Sequence, residues 1–168
     1  MSKKNFIIQM FKYNKWANSR YRGVLRNVPI DNLQIATEYG QLLDRIVHIF
    51  ASYEMWYKRL QDQSPNAVIK SSYFSNWVEL ESKWIEMDDL LIDYVKTISE
   101  ELLTETVRYV SLDGKEFTRK REDILFHLVQ HPSYHRGQLS SYFKHSELPN
   151  FPATDVVIYL TAHDRDDN

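Results

Sequence analysis

Apolar residues recur every three or four positions in four long segments of the chain. This spacing predicts amphipathic helices, because residues three and four apart lie on one face of an α-helix. The sequence has only four glycines and five prolines, which favours long regular elements. The predicted helices cover residues 3–27, about 38–63, about 75–98, and from 120 or 121 to 145 or 146.

A β-prone stretch separates the third and fourth predicted helices. Thr106–Val110 and Glu116–Arg119 alternate in polarity, and the pair Asp113–Gly114 between them is typical of a tight turn. After the fourth helix, Thr154 or Asp155 is placed to cap a short final helix. The predicted fold is therefore all-α, a four-helix bundle with a short hairpin between helices three and four and a short C-terminal helix.

The composition indicates one globular domain over residues 1–168. Hydrophobic residues make up 43% of the chain, which suits a substantial core. The net charge of −2 provides no general attraction to nucleic acid or to an anionic membrane. The short apolar run Phe6–Ile8 is too short for a signal sequence, and no stretch is long enough to span a bilayer. A cytoplasmic location is expected, and the absence of cysteine fits a reducing compartment.

Three histidines form the most informative pattern in the fourth helix. At about 100° per residue, His127, His131, His135 and Gln138 fall within an arc of roughly 80°. The same arc carries apolar residues, so the stripe is predicted to face a core: Ile124, Leu128 and Tyr142. Buried imidazoles need partners, and histidines four apart can hold a metal ion. Hydrogen-bonded core histidines are the alternative, but three in register favour a metal.

For several other residues the sequence pattern gives weaker evidence about their role. His48 lies about 120° from the centre of its helix's apolar stripe, so the pattern alone favours a surface or boundary histidine. Pro132 predicts a kink beside His131 or a freed carbonyl group. Arg136 faces away from the histidines, which suggests a structural ion pair. Asn14 and Asn18 either bond a neighbouring element or are solvated. His145 and His163 lie outside the histidine stripe and are expected at the surface.

Four pieces of sequence together resemble the DinB/YfiT-like family of small metalloproteins. They are YNKWAN from Tyr13, HIFASYEMWYKRL from His48, HPSYHRGQ from His131, and PATDVVIYL near the C-terminus. The resemblance implies that His48, His131 and His135 hold a divalent metal, often zinc or nickel, with an open coordination position. It leaves His127 as an outer hydrogen-bond partner or a competing ligand. It also implies a dimer, and several related proteins are thiol transferases that use bacillithiol or similar small thiols.

Two functions follow from the sequence. The first is a metal-dependent thiol S-transferase or a related hydrolase with a small-molecule substrate, in which the metal activates water or a small thiol. The chain has no cysteine, so a low-molecular-weight thiol would have to supply the sulfur. The second is a non-catalytic, metal-stabilised module for stress response or interaction, in which His127 fills the fourth ligand position. Gln138 shares the histidine arc and is the candidate hydrogen-bond partner that orients a ligand or substrate.

Overall fold

The structure, a computed structural model, describes residues 1–37 and 40–163. Its long helices are α1 (Lys3–Leu25), α2 (Leu42–Leu60), α3 (Trp77–Thr97) and α5 (Arg121–Lys144). The shorter elements are β1 (Ala36–Thr37), β2 (Gly40–Gln41), α4 (Glu100–Thr104), β3 (Thr106–Val110), β4 (Glu116–Lys120), α6 (Val156–His163) and single 3₁₀ turns at Ile30–Leu33 and Ser71–Tyr73. No helix among residues 1–37 and 40–163 combines the length and hydropathy needed to cross a bilayer.

The core lies between the four long helices. α1 packs mainly against α3, and α2 packs mainly against α5. Each of these helices contributes side chains that are almost fully buried, including Leu25, Ile46, Ile49, Trp84, Leu91, Leu125 and Leu128. The predicted four-helix bundle is therefore confirmed, and the apolar stripes read from the sequence supply its interior.

Both ends of α2 differ from the prediction. The helix begins at Leu42, because the chain before it forms the antiparallel pair β1–β2. The predicted start at Glu38 lies outside the described residues. At the other end, the N–H of Asp62 donates to the Arg59 carbonyl and that of Gln63 donates to the Lys58 carbonyl, both at 3.0 Å. Asp62 has a φ of 59°, so this is a Schellman motif that ends the helix before Gln63 without the usual glycine.

The predicted hairpin is present as β3 and β4. The strands are antiparallel, with Thr106 opposite Lys120 and Val110 opposite Glu116, and Gly114 takes a φ of 80° in the connecting turn. Val107 and Tyr109 are buried on one face, whereas their neighbours along β3 are exposed. The hairpin thus covers the end of α2 and carries the Tyr109 ring to that helix. The short helix α4, directly before β3, was not predicted.

Helix α5 continues through Pro132 because another helix supplies the missing hydrogen-bond donor. Proline has no N–H, so the Leu128 carbonyl four residues earlier loses its helical partner. The side-chain amide of Asn14 in α1 donates to this oxygen at 3.2 Å and to the Val129 oxygen at 3.3 Å. Asn14 is 1% exposed. The freed carbonyl is therefore satisfied beside His131, and of the two alternatives left open for Asn14 the structure shows the bond to a neighbouring element.

Arg136 is buried on the side of α5 that faces α1. Its guanidinium donates to the side-chain oxygens of Asn18 at 2.8 Å, Asn14 at 3.1 Å and Ser133 at 2.9 Å. Asn18 in turn donates to Asp88 at 2.8 Å. The predicted ion pair is wrong for the described residues: Arg136 reaches a carboxylate only through Asn18. The network fixes the rotation of α5 about its axis and hence the direction of its histidines.

Candidate metal centre

The histidines of α5 face α2, which runs in the opposite direction. His48 of α2 contacts both His131 and His135, whereas Trp56, two turns later in α2, contacts His127. His48 is half-buried and points across the helix interface. His48 lies on the flank of the apolar stripe of α2. A side chain on that flank meets the neighbouring helix α5 at the edge of the core.

The structure brings His48, His131 and His135 into one cluster. One ring nitrogen from each lies within 4.8 Å of the other two. The Nε2 atoms of His48 and His131 are 3.0 Å apart, and the ring centroid of His135 lies 4.6 Å from that of His48 and 4.4 Å from that of His131. The cluster joins one residue of α2 to two residues one turn apart in α5.

The donor set fits a small divalent ion. Two nitrogens bound to one tetrahedral ion at about 2.0–2.1 Å would lie about 3.3 Å apart, close to the separation of the His48 and His131 nitrogens. All three groups are imidazoles, which bind zinc and nickel alike. Among the described residues no cysteine or carboxylate joins this group. The residues present could therefore hold such an ion with three neutral ligands.

A hydrogen bond fixes the tautomer of His135. Its Nδ1 lies 2.8 Å from Oε1 of Gln138, and Nε2 of Gln138 donates to the Tyr134 hydroxyl at 2.9 Å. An amide oxygen only accepts, so Nδ1 of His135 carries the proton and Nε2 keeps its lone pair. Gln138 therefore leaves Nε2 of the His135 ring free to accept a bond, while its role at a metal site stays a prediction.

The surroundings favour the neutral form of every ring in the cluster. Burial, together with the smaller effect of the neighbouring histidines, lowers the pKa of His131 to about 3. Burial also lowers the pKa of His48, with His135 and Arg45 adding to the effect. The pKa of His135 falls through burial, against the opposing effect of Gln138. Neutral imidazole is the form that binds a metal, so the site is prepared for coordination.

His127 continues the row of histidines but stays outside the cluster of three. Its ring centroid is 5.0 Å from that of His131 and 5.2 Å from that of Trp56. Burial lowers its pKa, and the charge of Arg59 lowers it further. The row lies at the edge of the core rather than within it. Of the α5 histidines only His135 is buried, at 8% exposed, so the prediction of three buried imidazoles is wrong for His127 and His131.

Arg45 is the neighbour that the sequence reasoning missed. Its positive charge lowers the pKa of both His48 and His135. It precedes His48 by three residues, which places the two on the same face of α2. That spacing was the available signal. The remaining histidines, His145 and His163, are exposed as expected.

Comparison with known proteins identifies the family. The family model described as the DinB family matches residues 1–160. The chain is 22% identical over 165 residues to Protein DinB of Bacillus subtilis (strain 168), covering 93% of this chain and 94% of that protein. It also resembles the solved structure of YfiT from Bacillus subtilis, described as a probable metal-dependent hydrolase with an unusual four-helix bundle topology. That likeness has a TM-score of 0.60 at 15% identity and covers 87% of this chain and 91% of YfiT, so it concerns the fold. Since the family model spans nearly the whole sequence, the chain belongs to the DinB family.

Proposed function

We propose that the protein is a divalent-metal-dependent enzyme whose ion is held by His48, His131 and His135. The observation that carries this proposal is the cluster of three imidazoles from two helices, with His127 outside it. Three protein ligands are the number found in catalytic zinc sites, where a further position stays open, whereas structural sites are filled by four. YfiT, which shares the fold, is described as a probable metal-dependent hydrolase.

The proposed reaction transfers an electrophilic group of a small molecule to water or to a small thiol. A new bond to oxygen or sulfur forms, the bond between that group and its leaving group breaks, and the proton that water or the thiol loses passes to the leaving group or to solvent. A divalent ion with three neutral ligands keeps its positive charge and lowers the pKa of water or a thiol. The chain has no cysteine of its own, so a low-molecular-weight thiol such as bacillithiol would have to come from solution. Gln138 keeps the proton of His135 on Nδ1, so the other nitrogen of this ring would be the one that binds the ion. Zinc and nickel are the proposed metals.

One distance supports a second candidate, a non-catalytic metal-stabilised module. The ring of His127 is as far from His131 as the ring of His48 is, with centroids 5.0 Å apart in both pairs. A change in the side-chain torsion of His127 would bring its nitrogen toward the cluster. The shell would then consist of four imidazoles, as in a structural zinc site.

X-ray absorption spectroscopy of the zinc-loaded protein distinguishes these candidates. The enzyme proposal expects three imidazole nitrogens and at least one solvent oxygen. Turnover of ester and electrophile-plus-thiol substrate panels should then be present with zinc and absent after chelation. A shell of four imidazoles without solvent, together with no metal-dependent turnover, would contradict the enzyme proposal and support the module.

We also propose that the protein is a homodimer. Helix α6 exposes adjacent apolar side chains, among them Val157 at 63%, Val156 and Ile158. Such a surface is expected to be covered by another chain. Light scattering should give twice the chain mass of 20.1 kDa. A mass of one chain at micromolar and higher concentrations would refute the dimer.

A further inference from the structure

Arg59 lies on the face of α2 that carries His48. His48, Ser52, Trp56 and Arg59 follow one another at intervals of four, four and three residues, so they share one side of the helix. The guanidinium carbon of Arg59 is 4.5 Å from the centre of the Trp56 ring and 4.6 Å from that of Tyr109. The two rings, one from α2 and one from the hairpin, meet edge to face with centroids 5.1 Å apart, and the guanidinium lies against both of them.

This buried cation has little to compensate it. Arg59 is 5% exposed, and its one hydrogen bond among the described residues runs from Nη2 to the Val110 carbonyl at 3.4 Å. Its Nε is buried without a partner, and none of the described carboxylates forms an ion pair with it. By contrast, the equally buried Arg22 is paired with Asp88 at 2.7 Å. A buried guanidinium that lacks a counter-ion stabilises an anion placed beside it.

The cation lies next to the histidine row. Trp56 separates Arg59 from His127, whose ring is 5.2 Å from that of Trp56 and 5.0 Å from that of His131. Along α2, Arg59 stands about three helical turns, or about 16 Å, from His48 of the cluster. Among the described residues, the side chains whose charge shifts the pKa values of the four histidines are other histidines, Arg45 and Arg59. Within the described residues, no acidic side chain acts on these rings.

We propose that the metal centre acts on an anionic substrate, whose carboxylate or phosphate group binds the guanidinium of Arg59 while its reacting end lies at the histidine cluster. This inference rests on the proposed metal site. It goes beyond that site in naming the substrate class and the residue that selects it. The Trp56 ring forms the wall between the two ends, so the linking part of the substrate would be apolar and extended.

Calorimetric titration of the zinc-loaded protein tests this assignment with two ligands of equal length. Suberate has a carboxylate at each end, whereas octanoate has only one. If one carboxylate lies at the metal and the other at Arg59, the wild-type protein should bind suberate at least about tenfold more tightly than octanoate. Arg59→Gln should remove that preference and keep the zinc content. Arg108→Gln is the matched control, since Arg108 is an exposed hairpin cation paired with Glu116 at 3.1 Å, and it should keep the preference.

Each negative result of the titration leads to a different conclusion. A wild-type protein that binds zinc but does not prefer suberate overturns the inference, even if Arg59→Gln fails to fold. A folded Arg59→Gln protein that keeps the preference also overturns it. A wild-type protein that binds no zinc refutes the proposed function itself, and the inference fails with it. Zinc content measured before each titration separates this last case from the first two.

Discussion

The Nε2 atoms of His48 and His131 face each other at 3.0 Å across the interface of α2 and α5. A neutral imidazole carries one proton, so in the metal-free protein one of these atoms donates and the other accepts. A divalent ion held by these two residues would need the lone pair of both, so the donor ring would have to carry its proton on the other nitrogen. Such an ion would replace one hydrogen bond with two metal bonds that connect the helices.

The metal-free protein should therefore be less stable than the metal-loaded protein. A ligand that binds only the folded state stabilises it by about 2.7 kcal/mol when present at one hundred times its dissociation constant. We expect zinc to raise the midpoint of thermal unfolding of the wild-type protein and to have no such effect on His131→Ala. The control is His145→Ala, because this exposed histidine lies outside the cluster. An equal response of all three proteins would refute this prediction.

The metal-free protein should lose stability as the pH falls below about 6.5. Burial lowers the folded-state pKa of His131 to about 3 and lowers that of His48, so the unfolded chain takes up protons first. The contribution is complete above the unfolded pKa and is lost as the pH falls toward the folded pKa. The affinity for metal should decline only at pH values below about 6.5, because the lowered pKa values keep the folded-state histidines neutral at that pH.

Urea unfolding at about pH 7.5 and about pH 5.5 measures this dependence. We expect the free energy of unfolding to fall more steeply between these two values in the wild-type protein than in His131→Gln. Both proteins keep the same carboxylates, so their titration cancels in the comparison. Identical slopes would show that His131 does not have the lowered pKa on which the prediction depends.

The contact between Gln138 and His135 should contribute to metal affinity. Removing the hydrogen-bond partner of a metal-binding histidine typically weakens binding by about 10- to 100-fold. We expect a loss in this range for Gln138→Ala in a competition titration with a chromophoric chelator. Gln138→Glu keeps an oxygen that accepts from Nδ1 and should retain most of the affinity. Gln130→Ala, an exposed position of the same helix, should have no effect. An unchanged affinity in Gln138→Ala would contradict the proposed role.

Replacement of Asn14 should destabilise the whole bundle. Its side chain satisfies the Leu128 carbonyl that Pro132 leaves free and accepts from Arg136, so Asn14→Leu leaves two buried groups without this partner. Each such group costs about 1–3 kcal/mol. We expect a loss of at least about 2 kcal/mol in urea unfolding. Asn27→Ala, which changes an exposed amide of the same helix region, should change stability by less than about 0.5 kcal/mol. Similar effects for the two variants would contradict this explanation.

The sequence predicted an element correctly where its structure depends on a local pattern of residues. Helical spacing predicted the four long helices, and Asp113–Gly114 predicted the β3–β4 turn, because burial and backbone conformation each leave a local pattern. It failed at the end of α2, where Asp62 takes the left-handed conformation that glycine usually signals. It also failed for Arg136, whose partners Asn14 and Asn18 lie more than one hundred residues earlier.

The same contrast between local patterns and contacts among distant residues applies to the candidate site. His127, His131 and His135 are visible as a row because one helix carries them, but periodicity cannot tell which of them meets another helix. His48 belongs to the cluster because of the way α2 packs on α5, and its own helix places it on a flank. The family resemblance, rather than the spacing, selected it. Arg59 was not selected by the sequence at all, since its environment comes from α2 and the hairpin together.

The metal content of four single histidine variants tests the central claim most directly. Wild-type protein and the variants His48→Ala, His131→Ala, His135→Ala and His127→Ala are loaded with zinc, freed of excess ion and analysed by elemental mass spectrometry, with circular dichroism confirming the fold. The account predicts about one ion per chain in the wild-type protein and in His127→Ala, and at least about a tenfold lower content in the other three. Full zinc content in His48→Ala would show that α2 supplies no ligand. Equal loss in all four variants would show a closed four-histidine shell and contradict the catalytic site.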